Sequence, residues 1–254
     1  MTAARTSSPI SRYVDHVMGM PISLAVRGKH QDDPAARGAW AEATAALRDV
    51  DRVFSTYRAD SHISRLGRGE IEVDDCPPEV AEVLELAEQA RQESGGAFDV
   101  RRAGGALDPS GVVKGWAVER AARPLRVLDD TDFCLSAGGD LVCRTLDPTT
   151  PAWRIGIEDP LAAGRVTAVV PVRTGAVATS GLAHRGNHLV DARTGLTPSG
   201  VASVTVIGPD LTWVDIDATA AFAQGLDAAR WLATRTGRTG LVVWADGRVE
   251  TVHA

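Results

Sequence analysis

The chain has 254 residues, of which 44% are apolar and 24% charged, enough apolar content to bury a substantial core. Its net charge is -6, and no stretch concentrates lysine and arginine around aromatic residues, which argues against a nucleic-acid partner. The sequence contains no apolar run long enough for a membrane span, and its start lacks the apolar segment of a signal peptide. The three cysteines form no CxxC pair and suit a reducing compartment. We therefore expect a cytoplasmic protein.

The first third of the chain predicts one strand and two helices. Residues 21–28 (PISLAVRG) alternate apolar and polar positions, which is typical of a strand. Apolar residues at helical spacing predict helices over residues 33–54 and from Pro78 to about residue 95. Residues 1–11 are rich in serine, threonine and proline, so we expect a disordered tail followed by a single domain over residues 12–254.

The remaining two thirds predict one more helix, a strand-rich region and a last helix. The third helix is expected from about residue 113 to residue 124, and the last helix from about residue 214 to residue 236. The final segments LVVWADG and RVETV predict a hairpin. Between the helices lie short β-prone runs separated by glycine, proline and aspartate: FCLSAGG, LVCR, WRIGI, VTAVVPV, GAVATSG, NHLVD and GVASVTVIG. The pattern indicates an α+β fold in one compact unit.

A glycine-rich segment over residues 104–115 (GGALDPSGVVKG) ends at a predicted helix start and carries Lys114. A lysine in the first turn of a helix opposes the helix dipole unless an anion lies there as well, so the segment points to a phosphate group. A glycine-rich turn with a solvent-facing lysine explains the same pattern. The segment is neither a Walker A loop nor a GxGxxG fingerprint, which argues against a P-loop nucleotidase or a dinucleotide-dependent dehydrogenase.

Asp215 and Thr219 in VDIDATAAFAQG lie four residues apart at the predicted start of the last helix. Their oxygens project from one helical face, and hard oxygen donors of this kind suit Mg²⁺. Capping of the helix by Asp215 or Asp217 is the alternative explanation.

His188 in GNHLVDARTG precedes a short apolar run that ends at Asp191. A histidine at a strand end beside a carboxylate can act as a general base near neutral pH, although most single histidines are ordinary surface or core residues. The double glycine in SGGAFDV lets the backbone approach a flat ligand closely. We read Gly138, Gly139 and Asp140 as a turn between strands.

Several segments, taken in chain order, resemble the ApbE family of FAD:protein FMN transferases: VMGMPISL, FSTYRADSHISRL, SGGAFDV, LDPSGVVKGWAVERA, SAGGDL, WRIGIEDP, VATSG, HLVDARTG and VTVIGPDLTWVDIDATAAFAQG. The resemblance implies a compact T-fold-like unit with mixed or antiparallel sheets flanked by helices, and a cleft shared by FAD and Mg²⁺. It also implies transfer of FMN, as a phosphoester, to a serine or threonine of an acceptor protein while AMP leaves. An FAD pyrophosphatase and a non-catalytic flavin-binding protein are the alternatives.

The resemblance assigns roles to individual residues. It implies that Asp215, Thr219 and the backbone carbonyl of Gly111 bind the metal ion. It implies that His188 activates the acceptor hydroxyl. The residues implied to contact FAD are Met18, Tyr57, Ala97, Phe98, Asp99, Asp108, Lys114 and the backbone near Val190.

Overall fold

The computed structural model describes residues 9–101, 105–181 and 189–254. Within these residues, eight strands form an antiparallel sheet in the order β1-β2-β3-β4-β7-β8-β9-β10, and β5 and β6 form a separate hairpin. The strands are β1 (Ser11–Val17), β2 (Met20–Gly28), β3 (Thr131–Ala137), β4 (Asp140–Arg144), β5 (Trp153–Glu158), β6 (Val166–Val172), β7 (Gly175–Gly181), β8 (Val201–Gly208), β9 (Thr239–Trp244) and β10 (Val249–His253). The predicted α+β class and the closing hairpin are confirmed.

Seven α-helices occur in the described residues, together with two short 3₁₀ turns at Val73–Asp75 and Gly225–Asp227. The helices are α1 (Pro34–Phe54), α2 (His62–Gly67), α3 (Pro78–Glu93), α4 (Ser110–Ala121), α5 (Arg123–Arg126), α6 (Leu211–Ala223) and α7 (Ala228–Leu232). The start of α1 follows the sequence closely, because the Asp33 carboxylate accepts hydrogen bonds from the backbone N–H groups of Ala35 and Ala36.

The large sheet is covered on both faces. One face packs against the helices and forms the main core, to which β8 contributes Val204 and Val206. The other face packs against the β5–β6 hairpin in a smaller core that contains Leu141, Trp153 and Val177. Because alternate residues of a strand point to opposite faces, a strand covered on both sides is apolar throughout, as VASVTVIG nearly is.

The predicted helix over residues 214–236 is wrong in its bounds. Helix α6 begins at Leu211 and is capped by the Asp210 side chain, which accepts a hydrogen bond from the Trp213 N–H. It ends at Ala223, because Gly225 has a positive φ of 58° that a helix does not use. Neither Asp215 nor Asp217 caps the helix, so the capping alternative is excluded.

Three further boundaries differ from the sequence-based expectations. Helix α4 begins at Ser110 rather than near residue 113, so Lys114 lies in its second turn. Ser11, which we assigned to the tail, pairs with Val26 in the β1–β2 ladder. The run NHLVD was expected to be a strand, but its described part is irregular apart from a single bridge between Asp191 and Leu196.

None of the helices in residues 9–101, 105–181 and 189–254 combines the length and apolarity that crossing a bilayer requires. The cytoplasmic location stays a prediction.

Asp217 links α6 to the chain that follows α7. Its carboxylate is fully buried and accepts hydrogen bonds of 2.8 Å from both Arg235 and Arg238. Replacing it with asparagine removes the carboxylate that pairs with the largely buried Arg238 and leaves Arg235 with Glu93 alone. We expect Asp217→Asn to lower the free energy of unfolding by about 3 kcal/mol.

Urea denaturation of the purified variants measures this effect. Asp227→Asn is the matched control, because Asp227 forms an exposed ion pair with Arg230 at 2.9 Å, and its loss should cost less than about 1 kcal/mol. Equal stabilities of the two variants would show that the buried cluster does not stabilise the fold.

Candidate active site

A cavity of about 840 Å³ opens between the β5–β6 hairpin, the β3–β4 turn, the start of α4 and one face of α6. Ligand cavities in proteins commonly have volumes of about 300–1,000 Å³, so this one has room for a dinucleotide-sized molecule. The predicted site residues that line it are Ala97, Phe98, Asp99, Asp108, Gly111, Lys114, Val190, Asp215 and Thr219. The fold therefore brings together in one cavity residues from four separate sequence motifs.

Two predicted FAD contacts are not among the residues that line the cavity. Met18 lies in the β1–β2 turn, where its side chain is partly buried against the core. The side chain of Tyr57 is fully exposed just beyond the end of α1. His188 lies outside the described residues. The assignment of these three residues stays a prediction.

The three predicted metal ligands lie where α4 crosses α6. Asp215 and Thr219 occupy adjacent turns of α6, and Gly111 lies close enough that a Cβ atom on it would be 3.8 Å from Thr219 Cγ2. The helices approach closely because residue 115 is glycine, where a Cβ atom would lie 2.7 Å from Asp215 Cβ. This approach lets the Gly115 N–H donate a 2.9 Å hydrogen bond to Asp215 Oδ2.

The same hydrogen bond affects the carbonyl of Gly111. In a regular α-helix the N–H of residue 115 is paired with the carbonyl of residue 111. The Gly115 N–H here donates to Asp215, and a carbonyl oxygen has two lone pairs, so the Gly111 carbonyl retains acceptor capacity. Thr219 Oγ1 lies 2.9 Å from Ser180 Oγ, so one side of this hydroxyl is fixed by the end of β7.

These donors fit a divalent cation such as Mg²⁺. Asp215 is 1% exposed, and its Oδ1 has no hydrogen-bond partner within the described part of the chain. A buried carboxylate oxygen without a donor is costly unless a positive charge lies beside it. The Lys114 ammonium, 3.2 Å from Oδ1, is one such charge, and a bound cation would be a second. One carboxylate, one hydroxyl and one carbonyl form a sparse oxygen set, and the described residues contain no cluster of three or more His, Cys, Asp or Glu side chains suited to a metal. Such sparse sites are typical of Mg²⁺, which keeps water and substrate phosphate ligands.

Lys114 forms ion pairs with two carboxylates. Its Nζ lies 2.5 Å from Asp140 Oδ2 and 3.2 Å from Asp215 Oδ1. Burial lowers the pKa of Lys114, but the two carboxylates outweigh burial and hold that pKa above its usual value. Burial also raises the pKa of Asp215, although the Lys114 ammonium opposes this effect. The described partners of Lys114 are therefore carboxylates, and the lysine lies in the second turn of α4 rather than the first. The expected phosphate beside it stays a prediction.

Asp140 was missed by the sequence analysis. The turn at Gly138 and Gly139 is confirmed, with positive φ values of 57° and 99°, but the aspartate that follows it is 1% exposed. Its Oδ1 accepts a 3.1 Å hydrogen bond from the Thr179 N–H, and its Oδ2 faces Lys114. The available signal was an acidic residue directly after a double glycine within a β-rich region.

A family comparison matches this architecture. The model of the ApbE family covers residues 18–104 and 100–242. The chain belongs to the ApbE family. Among curated relatives, an FAD:protein FMN transferase of Haemophilus influenzae is 28% identical over 140 residues, and one of Escherichia coli strain K12 is 27% identical over 151 residues. These matches cover 51% and 56% of this chain but only 40% and 43% of the two relatives.

Solved structures of ApbE proteins share the fold. The ApbE protein of Thermotoga maritima superposes with a TM-score of 0.81 at 20% identity, covering 96% of this chain and 97% of that one. The apo form of the flavinyl transferase ApbE of Pseudomonas stutzeri also gives 0.81 at 21% identity, covering 98% and 97%. The predicted ApbE-like fold is confirmed.

In this ApbE family member, the β5–β6 hairpin and two arginines complete the cavity. Ile155 and Ile157 line it from β5, whose run WRIGI was expected as a β-prone segment and not as part of the site. Arg101 and Arg193 also line it, and Asp191 accepts hydrogen bonds of 2.8 Å and 2.9 Å from the Arg193 guanidinium. The cavity thus combines apolar walls with charged side chains of both signs, since Asp99, Asp108, Glu158 and Asp215 line it beside Arg101, Lys114 and Arg193.

Proposed function

We propose that this chain is a Mg²⁺-dependent FAD:protein FMN transferase. It cleaves the pyrophosphate of FAD, attaches FMN through a phosphoester to a serine or threonine of an acceptor protein, and releases AMP. The observation that carries this proposal is the convergence of Gly111, Asp215 and Thr219 with Lys114 in one cavity of about 840 Å³. The names of the curated relatives support it.

Gly111, Asp215 and Thr219 would hold the cation, and the cation would offset charge on the pyrophosphate as the phosphoryl group is transferred. Lys114 adds a positive charge that burial does not remove, because two carboxylates stabilise it. The apolar side chain of Phe98 and the backbone at Ala97 form a wall against which isoalloxazine can lie. This wall adjoins the proposed cation site, because a Cβ atom on Gly111 would lie 2.9 Å from Phe98 Cε2.

The transfer step requires an activated hydroxyl. The acceptor oxygen forms a bond to the phosphorus of the FMN half, the bond from that phosphorus to the bridging oxygen breaks, and AMP leaves with the bridging oxygen. The hydroxyl proton passes to a base, for which we propose His188. Its support is positional, because Gly181 and Leu189, which flank residues 182–188 in the sequence, both line the cavity.

Incubation of the purified protein with FAD, Mg²⁺ and candidate acceptor proteins tests the proposal. We expect an acceptor adduct of FMN mass by mass spectrometry and equimolar AMP by chromatography. AMP release at the same rate without an acceptor would identify a pyrophosphatase instead. FAD binding without AMP release under any of these conditions would identify a flavin-binding protein without turnover.

A further inference from the structure

Two buried aspartates and the partly buried Lys114 meet at the wall of the cavity. They come from three different elements: Asp140 from the start of β4, Lys114 from α4 and Asp215 from α6. The ammonium lies closer to Asp140, at 2.5 Å, than to Asp215, at 3.2 Å. The side chains of both aspartates are 1% exposed, and that of Lys114 is 19% exposed.

The charges in this cluster do not cancel. Two carboxylates and one ammonium leave one negative charge in a buried place, and Asp215 is the member that also belongs to the predicted metal site. We propose that Asp140 is a positioning residue that holds the Lys114 ammonium and thereby keeps Asp215 available to bind a divalent cation. This inference rests on the proposed function, because that function places the cation at Asp215.

The geometry supports an electrostatic role for Asp140. Its Oδ1 is fixed by the Thr179 N–H, while its Oδ2 faces the ammonium without a hydrogen bond of acceptable angle. Without a charge at residue 140, Lys114 would pair with Asp215 alone and neutralise it. An incoming cation would then have to compete with a buried ammonium for the same carboxylate, and its affinity would fall.

Asp140→Asn isolates this charge, because asparagine keeps an oxygen that can accept from the Thr179 N–H. Titration with Mn²⁺ in the absence of FAD, followed by electron paramagnetic resonance, measures cation binding without any turnover. We expect Asp140→Asn to weaken Mn²⁺ binding by about 10- to 100-fold, the usual effect of losing a residue that supports a metal ligand.

A double-mutant cycle shows whether Asp140 acts through Lys114. In a Lys114→Met background there is no ammonium to hold, so Asp140→Asn should weaken Mn²⁺ binding far less than in the wild type. An equal loss in both backgrounds would overturn the proposal, because Asp140 would then act on the cation directly or only through the fold.

Asp132→Asn is the matched control. Asp132 is a buried aspartate of the neighbouring strand β3, ion-paired with Arg27 at 3.1 Å, and it does not line the cavity. We expect the Asp132→Asn variant to bind Mn²⁺ with the affinity of the wild type.

The possible results distinguish a failure of the proposed function from a failure of the role proposed for Asp140. If the wild type binds no Mn²⁺ even after FAD is added, the proposed metal-dependent function fails. If the wild type and Asp140→Asn bind Mn²⁺ equally, only the role of Asp140 fails. If neither Asp140→Asn nor Asp140→Ser folds, as judged by circular dichroism, Asp140 is a structural residue and the positioning role is overturned.

Discussion

Asp215→Asn is expected to lower kcat/KM for FMN transfer by about 10³-fold or more, because it removes the only carboxylate among the three proposed cation ligands. The carboxylate is buried between α4 and α6, and asparagine occupies nearly the same volume. The variant keeps an oxygen that can accept from the Gly115 N–H, and Lys114 keeps Asp140 as its partner. The loss should therefore be one of cation affinity and turnover rather than of folding.

Initial rates of AMP release and adduct formation over a range of Mg²⁺ concentrations measure this effect. Asp217→Asn is the matched control, since it lies two residues further along the same helix and is equally buried but pairs with Arg235 and Arg238. It should lose stability and keep its activity per folded molecule. Normal Mg²⁺-dependent turnover by Asp215→Asn would exclude this aspartate from the metal site.

His188→Ala is expected to slow FMN transfer by about 10²- to 10⁴-fold, the range for loss of a general base, and to leave FAD affinity nearly unchanged. The reason is chemical: a serine or threonine hydroxyl is a weak nucleophile until a base accepts its proton. The binding of FAD depends on other residues, among them Phe98 and Lys114, which line the cavity independently of the histidine.

Single-turnover adduct formation and quenching of flavin fluorescence measure the rate and the affinity separately. His253→Ala is a suitable control, because His253 is exposed on β10, at the edge of the sheet, and does not line the cavity. Transfer at the wild-type rate by His188→Ala would show that another group takes the proton. Parallel loss of FAD affinity would indicate a binding role instead.

Local signals in the sequence determined the individual elements well. Asp33 and Pro34 identify the start of α1, because capping and proline chemistry depend on the residues within one turn. The closing hairpin of β9 and β10 follows from two short alternating runs joined by a turn. The family followed from many short motifs in one order, and the ApbE match over residues 18–104 and 100–242 confirms it.

Local signals in the sequence predicted the ends of α6 and the contacts of its aspartates less well. Asp210, Asp215 and Asp217 all lie near the helix start, and each is a plausible cap by residue type. The structure gives each a different role: Asp210 caps, Asp217 binds two arginines, and Asp215 faces the cavity. Which aspartate takes which role depends on what packs against each face of the helix. The residue types alone do not carry that information.

The sequence by itself therefore determined the fold class, the family and nine of the residues that line the cavity. Only the tertiary structure decided that Asp140 belongs beside Lys114 and that the Gly115 N–H reaches Asp215 across 100 residues of chain. Periodicity and capping act over a few residues, whereas the charge around a buried group depends on which strands and helices become neighbours. Here that depends on β4 pairing with β7 and on the close crossing of α4 and α6 at Gly115.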